Sequence, residues 1–184
     1  MNPTKQEIMK LGEMLIRTKG YHSFSYADIS KPLEIKNAAV HYHFPTKTDL
    51  GVAIIEATIQ DFVVLCEQVK NQSPMDKLIA FISIYDRSKS MNRVCIVGAL
   101  SPSYDSLPEE MQVKLHEVAS SILLWLSAVL EEGKTLKVFQ FTEDASTKAH
   151  AIISSLLASL LLQKVLSDQA FETIKQSILI SIKY

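Results

Sequence analysis

Glycine and proline are scarce, five and six in 184 residues, and apolar/polar alternation of the strand type is scarce with them. This excludes a fold of short strands joined by many tight turns. Cysteine is scarcer still: Cys66 and Cys95 are the only two, too few for a disulfide scaffold. A chain of this length buries enough core to need neither disulfides nor a structural metal. No charged-then-apolar leader opens the sequence, which predicts two reduced thiols in a cytoplasm. An excess of one charge is also missing. With a net charge of −1, 47% hydrophobic and 21% charged residues, the composition excludes disorder and predicts one domain or two tightly packed subdomains. Finally, no apolar run approaches the roughly 20 residues of a bilayer span. The longest low-polarity stretch, 151–162, carries three serines and is followed by Gln163 and Lys164, so it reads as a helix buried in protein, with no membrane partner.

What remains is apolar spacing of three and four residues along most of the chain, the helical period. The spacing predicts an all-α protein. A first helix covers about 4–19, with Gly20 as its stop, and a second starts at Tyr26 behind a capping box of Ser25 and Asp28. Pro32 ends or distorts it. A third helix spans 37–43. Thr46 and Asp49 form a second box opening a fourth helix to about residue 70, and Ser73-Pro74 opens a fifth. A short apolar segment follows at 93–104, then a long helix from 108 to 132 with Gly133 as its terminator, and two more at about 143–167 and 169–183.

Three short helices within the first fifty residues, the second and third joined by Leu33-Glu34-Ile35-Lys36, have the dimensions of a helix-turn-helix. At about 100° per residue, Asn37, Ala38, His41 and Tyr42 fall in one arc of roughly 140°, while Val40 lies opposite and faces the first two helices. Asn hydrogen-bonds an adenine edge bidentately, and small alanines admit thymine methyls. Charge agrees weakly: residues 1–50 hold seven Lys and Arg against five Asp and Glu.

The run from Tyr26 to Leu50, closing in His-Tyr-His-Phe-Pro-Thr-Lys, resembles the amino-terminal signature of the TetR/AcrR family of bacterial transcriptional regulators, as does Gly20-Tyr21. Further on, Cys95-Ile-Val-Gly98 and Ser106-Leu-Pro108 look like one branch of that family. The resemblance implies a DNA-binding domain at 1–47 and a helical ligand-binding and dimerisation domain at 48–184. It implies base contacts from Asn37, Ala38, Ala39 and His41, and phosphate contacts from Tyr26, Tyr42, His43 and Lys47. It also implies repression relieved by a small molecule, with homodimers on a pseudo-palindromic duplex DNA operator. The chain departs from the family pattern at Glu34, where glycine is usual, at Lys36, where serine or threonine often caps the third helix, and at His41, where tyrosine is commonest. A turn that needs positive φ strains Glu34.

Two expectations concern the body. Phe62, Phe81, Tyr85, Cys95, Tyr104 and Trp125 lie on helices four to seven, the part that encloses ligands in the family, and their aromatic, apolar character suits an apolar or aromatic effector. In the stretch 151–162, apolar pairs spread over more than half of the helix circumference, so one side needs a partner. Ile153, Leu157, Leu160 and Leu161, with Phe171, Ile174 and Ile178 of the last helix, therefore predict a two-fold four-helix interface.

No cofactor, metal or enzyme chemistry is expected. His41 and His43, two residues apart, diverge on a helix, and neither Glu-x-x-His nor His-x-x-x-His occurs. A glycine-rich phosphate loop, Gly-x-Ser-x-Gly and a partnered carboxylate pair are likewise missing, and Cys95 among apolar neighbours reads as inert. The second reading is a helical protein that binds or sequesters a small molecule without a DNA role. Salt-dependent DNA affinity separates the two.

Overall fold

The computed structural model describes residues 3–166 and 169–182. Among them are nine α-helices and no strand: α1 Pro3–Lys19, α2 Ala27–Ser30, α3 Asn37–His43, α4 Lys47–Val69, α5 Pro74–Ser90, α6 Ile96–Leu100, α7 Glu109–Thr135, α8 Ala145–Val165 and α9 Gln169–Ile180. Short 3-10 turns occupy Tyr21–Ser23 and Ser101–Ser106. The all-α expectation holds. The expected helix ends at residues 167 and 183 lie outside the described residues.

Local chemistry sets most of the boundaries. At the start of α4, the Thr46 hydroxyl accepts from the Asp49 amide at 3.1 Å while the Asp49 carboxylate accepts from the Thr46 amide at 2.8 Å. This reciprocal box satisfies two orphan donors. Ser73 caps α5 by accepting from the Asp76 amide at 3.2 Å, with Pro74 in the first turn. Asp144 does the same for Thr147 at the start of α8, at 2.8 Å. At α2 the Asp28 carboxylate accepts from the Ser25 amide at 2.8 Å.

The scarcity of glycine reappears at helix ends. After α2, α5 and α7 the chain turns in the same way: an amide bonds the carbonyl five residues back (Ile35 to Ser30 at 3.0 Å, Arg93 to Ser88 at 2.9 Å, Val138 to Gly133 at 2.8 Å). These are Schellman turns, which place one residue in the left-handed region that favours glycine. Here Glu34, Asn92 and Lys137 occupy it, with φ of 55°, 52° and 56°. The strain anticipated at Glu34 is therefore present.

Gly133 does not stop α7. The helix continues to Thr135, and Gly133 serves packing instead: a Cβ there would lie 1.9 Å from Cδ2 of Phe139, a ring buried to 2% exposure.

The chain divides into two compact units, one holding the described residues up to Asp61 together with Cys95–Val118, the other Phe62–Val94 and the described residues from Ala119 onward. In the first, α1 packs on α2, α3 and α6, burying Ile8, Ile16, Ile29, Val40, Leu50 and Leu100. Gly51 admits the Met111 thioether, which would approach a Cβ to 2.6 Å. In the second, α8 packs on α5 and α9 around Leu78, Phe81, Ile152, Leu156, Leu160 and Phe171. Ion pairs fasten this unit: Lys77 to Glu132 at 2.7 Å, Lys89 to Glu172 at 2.9 Å, and Lys175 to both Asp86 and Glu172 at 3.0 Å. Helices α7 and α8 reach the length and mean hydropathy of a bilayer span, and α8 spends much of that apolarity on α5 and α9.

Candidate nucleic-acid interface

The α2–α3 pair is built by its turn. Pro32 follows α2, the Glu34 turn reverses the chain, and Lys36 in extended geometry leads into α3 without a side-chain cap. Helix α3 is then anchored by Val40, which is fully buried, and by Phe44 just after it. The period places the other face outward. Asn37, Ala38, His41 and Tyr42 are exposed, Tyr42 to 83%, and Ala39 and His43 are half-buried at the edges.

Two of the outward side chains have a defined hydrogen-bond partner. His41 Nδ1 lies 3.1 Å from the Pro45 carbonyl. A carbonyl only accepts, so Nδ1 carries the proton and neutral His41 offers Nε2 as an acceptor. Its ring stands edge-on to Tyr26, with centroids 4.7 Å apart. Tyr42 stacks edge-on to His43 at 5.1 Å. Asn37 Oδ1 accepts from the Ser30 hydroxyl.

Two residues expected to hold phosphates are placed further inside. Tyr26 is 8% exposed, and its hydroxyl is directed at the Phe44 carbonyl, 2.8 Å away, and at that of Thr46. Burial, reinforced by Asp49 and Tyr21, pushes its pKa up to about 12. Its hydroxyl thus joins α2 to the α3–α4 connection. Lys47 is half-buried: its ammonium donates to the Phe24 carbonyl and lies 4.2 Å and 4.7 Å from the centres of the Phe24 and Tyr21 rings. Desolvation holds its pKa below the usual lysine value, opposed by Asp28. Such cation–π seating orients Lys47 at the first turn of α4, where backbone amides favour anions. Ser30 was missed by sequence reasoning, since nothing local marks a serine as the partner of a residue seven positions on.

The expected effector residues are divided between the two units. Phe62, Phe81, Tyr85 and Trp125 form one aromatic cluster in the second unit: Trp125 lies 5.6 Å from Phe62 and 6.2 Å from Phe81, and Phe81 lies 5.5 Å from Tyr85. The first three are buried and Trp125 is half-buried. Cys95 and Tyr104 belong to the first unit. Cys95 caps α6, its sulfur accepting from the Gly98 amide at 3.3 Å, and burial pushes its thiol pKa up. Tyr104 lies in the 3-10 turn.

The expected dimer residues separate as well. Leu160, Phe171 and Ile178 are buried within their own protomer, whereas Ile153, Leu157 and Ile174 are half-buried and Leu161 is 44% exposed. The reason is that α9 lies along α8 and covers one apolar side of it. Val165 and Leu166, at the end of the uncovered side, are 82% and 70% exposed. Among the described residues no three His, Cys, Asp or Glu side chains converge as a metal site.

Residues 8–54 match the bacterial regulatory proteins, tetR family. The crystal structure of a TetR transcriptional regulator from Legionella pneumophila is similar over 100% of this chain and 99% of its own, with 32% identity and a TM-score of 0.88. A TetR-family transcriptional regulator from Agrobacterium tumefaciens gives a TM-score of 0.91 at 28% identity over 98% of both chains. The HTH-type transcriptional repressor NemR of Escherichia coli is 20% identical over 95% of this chain and 90% of its own length. With an exposed α3 face on a buried Val40 anchor, a matching amino-terminal pattern and full-length likeness to solved relatives, the chain belongs to the tetR family of bacterial regulatory proteins and is a transcriptional regulator.

Proposed function

We propose that this regulator is a ligand-responsive repressor of the cytoplasm, a homodimer that binds a pseudo-palindromic operator and is released by an apolar or aromatic molecule. Residues 1–47 are its DNA-binding domain and residues 48–184 its ligand-binding and dimerisation domain. The observation that carries the reading is the division of α3 into a buried anchor at Val40 and an outward face of Asn37, Ala38, His41 and Tyr42. Side chains on such a face reach base edges in the major groove, with His41 Nε2 suited to the amino group of adenine or cytosine. Tyr42, His43 and Lys47, with the first-turn amides of α4, hold phosphates on either side. Tyr26 acts as a positioning residue, tying α2 to the carbonyls that precede α4. Two such faces meet successive major grooves when a dimer spaces them about 34–36 Å apart. The uncovered side of α8, running through Ile153, Leu157, Leu161 and Val165, supplies the symmetric contact.

The effector site is the cluster of Phe62, Phe81, Tyr85 and Trp125. Phe62 stands on α4, the helix that begins at the DNA-facing Thr46–Asp49 box, so a ligand that displaces Phe62 acts on the element carrying the phosphate contacts. The name of the NemR relative, a repressor, supports the direction of control.

Selection from randomised duplex DNA followed by titration at several salt concentrations tests the reading. A palindromic sequence is expected to emerge, with affinity falling by about 0.9 decade per decade of salt for each phosphate neutralised. Equal affinity for every duplex refutes it.

A further inference from the structure

Ser30 and Asn37 meet where α2 gives way to α3. Ser30 is 4% exposed and held through its backbone from both sides: its amide donates to the Tyr26 carbonyl at 2.8 Å and its carbonyl accepts from Ile35 at 3.0 Å. Its hydroxyl donates to Oδ1 of Asn37, an otherwise exposed side chain. The two ends of an asparagine amide are not equivalent here. If the amide were turned over, its N–H2 would face the Ser30 oxygen, and the buried hydroxyl proton would have to compete for the Tyr26 carbonyl, which already accepts from the Ile29 and Ser30 amides. A buried donor without an acceptor is costly, whereas the outward end of Asn37 finds water or DNA in either orientation. The inner position therefore belongs to the oxygen. The outer edge is the N–H2, a pure donor.

We propose that Asn37 reads DNA as a donor and that Ser30 is the positioning residue that makes it so. This rests on the DNA-binding reading above and adds the base it selects. Bidentate recognition of adenine needs the asparagine oxygen to accept from N6 while the nitrogen donates to N7. With one lone pair of Oδ1 taken by Ser30 and the oxygen turned inward, that pairing is disfavoured. Guanine presents acceptors at both O6 and N7 in the major groove, so it is the base that the outward N–H2 fits best. Cytosine, which offers only a donor there, fits worst. Asn37 and His41 then read opposite polarities from adjacent turns of one helix, Asn37 donating and neutral His41 accepting at Nε2.

The test is selection from randomised duplexes with the full-length protein, its Asn37→Ala variant and its Ser30→Ala variant, followed by competition between guanine and adenine at the affected position. Guanine is expected at the position whose preference disappears in Asn37→Ala. Ser30→Ala should admit adenine there, lowering the guanine-over-adenine ratio by about tenfold while leaving the salt dependence unchanged. Asn37→Asp keeps an acceptor toward Ser30 but presents an acceptor outward, and should move the preference to cytosine; this arm leaves the packing around Ser30 intact. Adenine or cytosine at the Asn37-dependent position of the unaltered protein overturns the proposal, as does a ratio indifferent to Ser30→Ala or an Asn37→Ala variant that changes no position. If no sequence is enriched at all, the DNA-binding reading fails and this inference falls with it, an outcome distinct from enrichment of the wrong base.

Discussion

Replacing Glu34 with glycine should stabilise the protein. Glu34 occupies the left-handed position of the turn after α2, with φ of 55°, and the Ile35-to-Ser30 and Glu34-to-Lys31 bonds at 3.0 Å and 3.1 Å leave the backbone little choice. A side chain with a Cβ loses about 1–2 kcal/mol in that region. Glycine avoids the loss but gives the unfolded chain more freedom, which costs about 0.4–1 kcal/mol. At the centre of these ranges the net gain is about 0.8 kcal/mol, a rise in Tm of about 2–3 °C for a chain of this size. Thermal unfolding followed by far-UV circular dichroism measures it, at one protein concentration, because association shifts Tm. Glu34→Gln is the control: it removes the charge but keeps the Cβ, and should gain nothing in Tm. Both variants remove a negative charge close to the proposed DNA-facing surface, so both should bind DNA more tightly at low salt and lose that advantage as salt screens it. Equal melting temperatures for the glycine and glutamine variants, or a lower one for glycine, would show that the turn does not hold the strain assigned to it.

Gly133→Ala should destabilise by about 1–3 kcal/mol, because its methyl overlaps the buried Phe139 ring; an unchanged urea midpoint would mean that the ring moves aside freely. Between pH 10 and about 12 the unfolded chain releases the Tyr26 proton while the folded chain keeps it, so the stability from this burial is full below pH 10 and is lost as pH rises through that window. Burial raises Tyr21 as well, so ultraviolet titration of phenolate absorbance should show late-titrating tyrosines, of which the component near pH 12 disappears in Tyr26→Phe. Leu161→Glu or Leu157→Glu should convert the proposed dimer to monomer in sedimentation and weaken operator binding without altering residues 1–50; a well-folded unmutated monomer at micromolar concentration contradicts the dimer. Trp125 is the sole tryptophan, so an effector entering the aromatic cluster should shift its fluorescence, and a bound, inducing ligand that leaves it unchanged binds elsewhere.

The face of α3 is legible in sequence because a seven-residue helix with one apolar anchor leaves few ways to turn. Helix starts are legible for a related reason: a Thr-x-x-Asp or Ser-Pro pair acts on amides within three residues of itself. What sequence hides is set at a distance. Tyr26 reads as a surface aromatic until the carbonyls of Phe44 and Thr46, 18 and 20 residues on, are seen to take its hydroxyl. Gly133 carries the cue of a helix stop, yet the ring that demands it arrives from the following loop. Periodicity shows that α8 is apolar on two sides, but not which side α9 covers, and so Leu160 went to the dimer expectation while it belongs to the protomer core.

The first unit is completed by Cys95–Val118, more than thirty residues after its amino-terminal portion ends at Asp61. Leu100, Met111 and Val118 are wholly buried and Leu115 nearly so, and a fragment ending at residue 61 would bare the surfaces they cover. The compact unit that carries the proposed DNA-reading face is therefore not a contiguous cassette. A chimera that transplants residues 1–61 onto the body of a relative succeeds only if the recipient supplies an equivalent α6 and first turns of α7, including a side chain shaped like Met111 to fill the space above Gly51. Recombination near residue 47 cuts through this unit, and the proposed reading face is better exchanged by substituting the outward residues of α3 along with Ser30.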